Sequence, residues 1–209
     1  MAQPRIIAAQ VKDAELVTER RAHIAQAAAR VFRAKGFHSA TIRDVAVEAG
    51  LSQGSLYNYV RTKDDILYLV HQDMTAAYAR DVEAAIDGLT EPRARLHAAL
   101  AAFVHAMRER HGDIALIYQE THALGAESRH AVLAQTQIFI ERFGQLIEEA
   151  REAGMTFPGA GKLAADIVTF LPVMLSLRRW HIRDVMAGAE AEAEIVAFLM
   201  RGLGASDGP

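Results

Sequence analysis

Four polar side chains, Gln53, Ser55, Tyr57 and Asn58, follow closely on a Gly50-Leu51 pair, and their chemistry suits hydrogen bonding to nucleic-acid bases. Gln and Asn amides pair bidentately with adenine, while Ser and Tyr hydroxyls serve bases or phosphates. Such side chains work when they project near the N-terminal end of a helix that enters the major groove. The nine histidines pose a second question, that of a metal site. His97 and His105 are eight residues apart and His111 lies farther round, so no close i,i+4 ligand pair and no HExxH run occurs. Glu120, His122 and Glu127 form one metal-binding alternative at a helix break, against the plainer reading of solvated polar residues. No GxSxG elbow, phosphate loop or dinucleotide fingerprint is present, and the expectation is a non-enzyme without metal or cofactor.

The elements that must carry the four polar residues are helices. Apolar residues recur at helical spacing along nearly the whole chain and alternating strand-like runs are missing, which predicts an all-α fold. The first helix carries Ile24, Ala28, Val31 and Phe32 on one face, flanked by Arg20, Arg21, Arg30, Arg33 and Lys35, and stops at Gly36. Thr41 with Asp44 is a capping-box-like pair opening a second helix through Ile42, Val45, Ala46 and Ala49. Ser52 caps a third, through Leu56 to Val60, and only Gly50 and Leu51 remain to connect the two, so they must cross steeply. Small Ala46, turn-forming Gly50, and Leu51 and Leu56 locked against Val45 make the order of residue types a helix-turn-helix requires. Thr62 and Asp65 repeat the capping pattern before a long fourth helix with Ile66, Leu67, Leu69, Val70, Met74 and Tyr78, and Asp64 and Asp65 sit favourably in its first turn.

The run TIRDVAVEAGLSQGSLYNYVRTKDDIL, from Thr41 to Leu67, closely resembles the DNA-binding domain of TetR-type repressors, and the likeness extends over about Arg20 to Met74. Members typically read Gly, Ser or Thr, Leu, Tyr, an aromatic or His pair, Phe, then Lys; here these are Gly54, Ser55, Leu56, Tyr57, Asn58, Tyr59, Val60 and Lys63. Asn58 replaces a usual aromatic or His, which bears on sequence preference, and Val60 replaces the usual core Phe, which loosens packing. The resemblance implies that Thr41, Tyr59 and Lys63 hold phosphates while Gln53, Ser55, Tyr57 and Asn58 face bases; phosphate contacts position and base contacts specify. Arg43, Ser52 and Gly54 complete the expected DNA-facing set. The plainer alternative is that Tyr57 and Tyr59 pack the corner and Lys63 is a solvated charge. The family acts as a dimer on a palindromic operator, usually as a repressor released by an inducer, with a residual alternative of a protein-interaction module that has lost DNA binding.

The expected organisation is a helix-turn-helix domain over 15–66 and a helical ligand-binding and dimerisation domain over 67–205. Pro92 opens a fifth helix with Leu96, Leu100, Phe103 and Met107 on one stripe, and Gly112 and Gly125 are expected to punctuate the next stretch. A long amphipathic helix runs from Arg129 to Glu152 with Val132, Phe139, Phe143, Leu146 and Ile147 inward and Gly154 at its end. Two further helices, about 159–184 and 189–203, are the most apolar, Pro172 kinks the first, and the tail from Gly202 frays. Met174, Leu175, Ile195, Phe198, Leu199 and Met200 offer more apolar surface than one bundle needs, which favours a homodimer through these two helices over a purely intramolecular core. The segments IALIYQETHALG, QIFIERFGQLIEEAREAGM and LRRWHIRD resemble, more diffusely, family members that respond to acyl-coenzyme A thioesters. Tyr118, Gln119, His122, Phe139 and Trp180 are candidates to line an apolar pocket, and Arg142, Arg178 and Arg179 to pair with phosphates at its mouth, against ordinary core and surface roles. A lipophilic or aromatic inducer without CoA is the other reading.

Composition narrows the rest. The 209-residue chain has no cysteine, which excludes disulfides, thiolate metal sites and thiol redox sensing. Net charge is −3, but residues 1–70 carry 10 Lys and Arg against 7 Asp and Glu, and the remainder 13 against 19. A mildly basic front on an acidic body points one end at a polyanion. The stretch MAQPRIIAAQVKDAE has no long apolar run behind its basic residues and no window reaches the roughly 18 to 20 apolar residues of a membrane span, so a soluble cytoplasmic protein is expected.

Overall fold

The computed structural model describes residues 5–156 and 161–204, and every regular element among them is helical. The expected helix start near 159 and domain end at 205 lie outside those residues. The chain divides into two compact units. One comprises residues up to Ala76 together with Ala115–Gln135; the other comprises Ala77–Ile114 and everything from Thr136 onward.

The first unit begins with α1 (Ala14–Lys35), capped by Asp13, whose carboxylate accepts from the Glu15 and Leu16 amides. Its buried face includes Ile24, Ala28, Val31 and Phe32, as the spacing predicts, and Gly36 stops it with a φ of 78°. That residue's ψ is 147°, so glycine supplies positive φ without a left-handed helical turn. α2 (Ile42–Glu48) opens on a complete capping box: the Asp44 amide donates to Thr41 Oγ1 and the Thr41 amide to the Asp44 carboxylate. α3 (Gln53–Tyr57) is capped by Ser52 and ends three residues earlier than its apolar pattern suggests. The cause is the company its end keeps: Asn58 O accepts from the Gln10 amide and Tyr59 O from Arg21, so these carbonyls belong to tertiary bonds rather than to another helical turn. α4 (Lys63–Ile86) starts on a second capping pair, Thr62 with Asp65. Val45, Ala46, Leu56, Val60, Ile66 and Leu67 form the shared core, each 1% exposed or less.

The second unit is built on α5 (Pro92–Glu109), with Pro92 in its first turn and Leu96, Leu100, Phe103 and Met107 buried. α6 (His111–Glu120), whose residues from Ala115 on belong to the first unit, contains Gly112 instead of breaking there; the chain bends two residues earlier, at Arg110, and glycine is tolerated in a first turn whose amides lack intrahelical acceptors. Gly125 does precede a helix, α7 (Ala126–Glu152), which begins three residues ahead of Arg129, and Gly154 follows it with a φ of 103°. Tyr78, Phe103, Phe139 and Phe143 form an aromatic cluster with centroids 4.8–5.7 Å apart. The segment around Pro172 is broken twice rather than kinked once. α8 (Gly161–Phe170) passes into a 3₁₀ turn at Leu171–Val173, then α9 (Met174–Leu177), then a further break at Arg178 before α10 (Arg179–Val185). α11 (Gly188–Gly202) packs on α5, with Glu192 accepting from Arg108.

Of the six residues expected to pair two copies, Leu175, Ile195, Leu199 and Met200 are buried within the chain itself and Met174 is half-buried. Only Phe198 stands out, 61% exposed. The outward apolar surface of these helices lies elsewhere, on Leu163, Ile167 and Phe170 of α8, spaced to share one helical face, and on Trp180 of α10. No helix among the described residues is long and apolar enough to cross a membrane.

Candidate nucleic-acid interface

The α2–turn–α3 corner is held by three local devices. Gly50 takes a φ of 64° and its amide donates to Val47 O, while Leu51 N reaches Ala46 O, closing the turn in the two residues available. Leu56 and Val45 are fully buried beneath it. The Ser52 hydroxyl accepts the Ser55 amide at 3.0 Å and lies 2.8 Å from Ser55 Oγ, so these two serines organise the start of α3.

With Leu56 inward, α3 turns Gln53, Gly54 and Tyr57 outward, all exposed, while Ser55 and Asn58 are half-buried. Gln53 Nε2 is 3.5 Å from Tyr57 Oη, one turn along, so the two form a single polar face. A hydrogen-bonding amide and a phenol presented side by side on an exposed helix are suited to base edges. Arg43 on α2 is exposed and Tyr59 half-buried. Thr41 is exposed, but its hydroxyl donates to the Asp44 carboxylate at 2.8 Å while accepting the Asp44 amide. Lys35, 2.7 Å from Asp44, holds that carboxyl well below the usual carboxylate range, followed by the Thr41 bonds.

Lys63, to which the resemblance gives a phosphate role, is turned toward the loop between α1 and α2. Its ammonium donates to Phe37 O at 2.6 Å, His38 O at 3.1 Å and Ala40 O at 2.9 Å, and lies 4.5 Å from the centroid of the Phe37 ring. Three donors are all an ammonium has. Lys63 is therefore a brace for the loop between α1 and α2.

Sequence reasoning also overlooks the long-range bonds of Arg21 and the tie of Asp65 to Arg5. Arg21 donates through Nη2 to Ile7 O at 2.6 Å and through Nη2 and Nε to Tyr59 O at 3.0 and 3.1 Å. Burial lowers its affinity for protons, an effect opposed by the charge of Asp65. Asp65 is 3% exposed and accepts from the Arg61 and Thr62 amides and from Arg5. Burial pushes its carboxyl up, but those bonds outweigh it and hold the group below its ordinary value. Nothing in the local pattern marks Arg21 apart from the other arginines flanking the first helix.

The expected inducer residues divide between the two units. Tyr118, Gln119 and His122 are exposed residues of the first unit. In the second unit Phe139 is consumed by the aromatic cluster, and Arg142 donates from Nε and Nη2 to the Glu83 carboxylate at 2.6 and 3.1 Å. Arg178, Arg179 and Trp180 are exposed around the break between α9 and α10, where a charged head and an indole remain in water. A groove of about 770 Å³ between α5 and α11, lined in part by Arg93, His97, Val196, Met200 and Arg201, includes none of them. No group of three His, Asp or Glu residues among the described residues is placed to hold a metal ion; Glu120 instead lies 3.3 Å from His38.

Residues 24–68 match the family described as bacterial regulatory proteins, tetR family, and residues 89–203, more than half of the chain, match the tetracyclin repressor-like C-terminal domain. The chain belongs to the tetR family. Among its relatives, the HTH-type transcriptional regulator HbdR of Aromatoleum sp. (strain CIB) is 36% identical over 119 residues, 57% of this chain and 52% of HbdR, so the match spans about half of that relative's length. The fold is shared with a tetR-family regulatory protein from Rhodococcus RHA1, at a TM-score of 0.78 and 24% identity over 90% of this chain and 99% of the other. It is shared also with AibR in complex with isovaleryl coenzyme A and operator DNA, at a TM-score of 0.71 and 16% identity over 88% and 98% of the two chains. The family's N-terminal match contains the whole α2–turn–α3 corner and Lys63.

Proposed function

We propose that this chain is a ligand-responsive transcription regulator that binds a palindromic DNA operator as a homodimer and represses until a small lipophilic molecule or acyl-CoA ester releases it. In this proposal residues 15–66 read DNA and residues 67–205 bind inducer and dimerise. The observation that carries it is the exposed Gln53–Tyr57 face of a capped five-residue helix, set on a buried Leu56 across a Gly50 turn. Gln53, Ser55, Tyr57 and Asn58 address bases; Thr41, Arg43 and Tyr59 address the backbone, and Ser52 and Gly54 shape the approach.

Dimerisation is supported by the outward Leu163, Ile167, Phe170, Trp180 and Phe198, large apolar side chains at 48–69% exposure on the C-terminal helices. Two copies place two readers about one helical turn apart, roughly 34–36 Å. An acyl-CoA inducer is supported by the fold shared with AibR, which binds isovaleryl coenzyme A together with operator DNA. Release requires that inducer bind the off-DNA arrangement more tightly than the DNA-bound one. The proposal gives the chain no catalytic role.

The test is a fluorescence-anisotropy titration against DNA flanking the protein's own gene, with and without a panel of acyl-CoA esters and free acids. Saturable binding that competitor DNA does not remove, and that one CoA ester reverses, is the expected result. Equal affinity of that ester for the free and DNA-bound dimer would remove the release scheme, and conversion of any panel member without DNA would count against the non-enzymatic assignment.

A further inference from the structure

The connection between α3 and α4, Asn58 to Thr62, is tied at its carbonyls by residues remote in sequence and at its amides by the nearby Asp65, which a remote arginine holds in turn. Asn58 O accepts the Gln10 amide at 2.9 Å, and Tyr59 O accepts Arg21 from two nitrogens. The Arg61 and Thr62 amides donate to Asp65 Oδ2 at 2.8 and 3.0 Å, and the other oxygen of that carboxylate takes Arg5 Nη2 at 2.6 Å. The segment from Arg5 to Gln10 is fastened in its middle as well: Ile7 is 6% exposed and its carbonyl takes the same Arg21 nitrogen that binds Tyr59 O. Arg5 also lies 5.5 Å from the centroid of the buried Tyr68 ring.

We propose that the segment Arg5–Gln10 is a strap that locks the Asn58–Thr62 turn and thereby sets the pose of the recognition helix, with Arg21 and Arg5 as positioning residues for DNA reading. The proposal rests on the DNA-reading function above. A five-residue helix has too few internal bonds to hold its own orientation, so its direction is inherited from what clamps its two ends. The Gly50 turn clamps one end and the strap the other. Base contacts depend on that direction, whereas attraction to phosphates tolerates a shift of pose. The strap also meets the corner before α7: Arg5 is 3.6 Å from Asp64 and 3.7 Å from Glu127, and Asp64 accepts the Gly125 amide and the Ser128 hydroxyl. One ion cluster thus joins this corner to the reader.

The test compares the full-length wild type with Arg21→Gln, Arg21→Lys and Arg5→Gln by two readouts. The first is amide hydrogen exchange at Gln10, Arg61 and Thr62 without DNA. The second is affinity for a duplex that the wild type selects from a random pool, against a random-sequence duplex of equal length. Arg21→Gln is expected to speed exchange at Gln10 and to cut affinity for the selected duplex by about tenfold, the loss carried by one part-buried charged hydrogen-bond cluster, while leaving the random duplex within about twofold. Arg21→Lys recovers part of both, and Arg5→Gln, which leaves Asp65 bonded to its two amides, gives a smaller change of the same kind. A merely destabilised protein would lose both duplexes in proportion. Unchanged exchange in Arg21→Gln overturns the strap, and faster exchange with an unchanged ratio of the two affinities overturns its positioning role. Should the wild type select no duplex, the DNA-reading function and the positioning role fall with it, while the exchange data decide whether the segment locks the turn.

Discussion

Substituting Lys63 by methionine separates a loop brace from a phosphate contact. Methionine keeps an unbranched apolar stem of similar length and removes the ammonium that serves Phe37 O, His38 O and Ala40 O. A hydrogen bond to a charged group contributes about 1.5–3 kcal/mol when sheltered. Two of these three bonds are partly buried and the one to His38 is exposed, so water replaces much of the loss. The ring contact with Phe37 adds about 0.5–1 kcal/mol. The net expectation is a destabilisation of roughly 2–3 kcal/mol, read from urea unfolding by circular dichroism. Salt titration on a random duplex supplies the second arm. A lysine that neutralises one phosphate contributes about 0.9 to the slope of log K against log salt. The brace predicts an unchanged slope for Lys63→Met in the fraction that remains folded. Unaltered stability together with a slope lowered by about 0.9 per protomer would refute the assignment of its three donors to the loop.

Gly50→Ala is expected to cost about 1–2 kcal/mol from backbone conformation alone, because φ is 64° and an added Cβ meets no atom within 4 Å; thermal unfolding reads it, and Gly50→Asn should cost less. His71 is 3% exposed and burial pushes its pKa down to about 4, so the folded protein holds it neutral. Thr121 Oγ1, whose proton goes to Ile117 O, lies 3.3 Å from His71 Nε2, which makes that nitrogen the donor. The unfolded chain takes up the proton first, so stability falls as pH drops from about 6.5 toward 4, by about 3 kcal/mol at the lower end. His71→Gln should flatten that part of a urea-midpoint profile, and an unchanged slope would remove the residue from the account. Ile167→Asp combined with Phe198→Asp should leave a folded monomer in sedimentation velocity, weakening self-association by roughly two to three orders of magnitude; an intact dimer at micromolar concentration would place the interface elsewhere.

Legibility divides by sequence separation. The capping boxes at Thr41–Asp44 and Thr62–Asp65, the Ser52 cap and the positive φ of Gly50 are decided by residues within a few positions, so residue type and spacing suffice. Local pattern does not show what Lys63 bonds because its partners lie 23 to 26 residues away, and passes over Arg21 because Tyr59 is 38 away. A cation near a DNA reader looks the same in sequence whether it reaches a phosphate or a carbonyl. The same limit governs the C-terminal helices. Helical period shows that Ile195, Leu199, Leu163 and Ile167 each belong to an apolar face, but not that α5 covers the face of α11 while Leu163 and Ile167 stay exposed. It also ranks Arg142 as a pocket-mouth cation, since only the fold brings Glu83, 59 residues distant, to claim it. Inducer recognition is therefore the part hardest to read from local pattern: a pocket is made of side chains that tertiary packing leaves unspent, and which ones are left is decided by partners dozens of residues away.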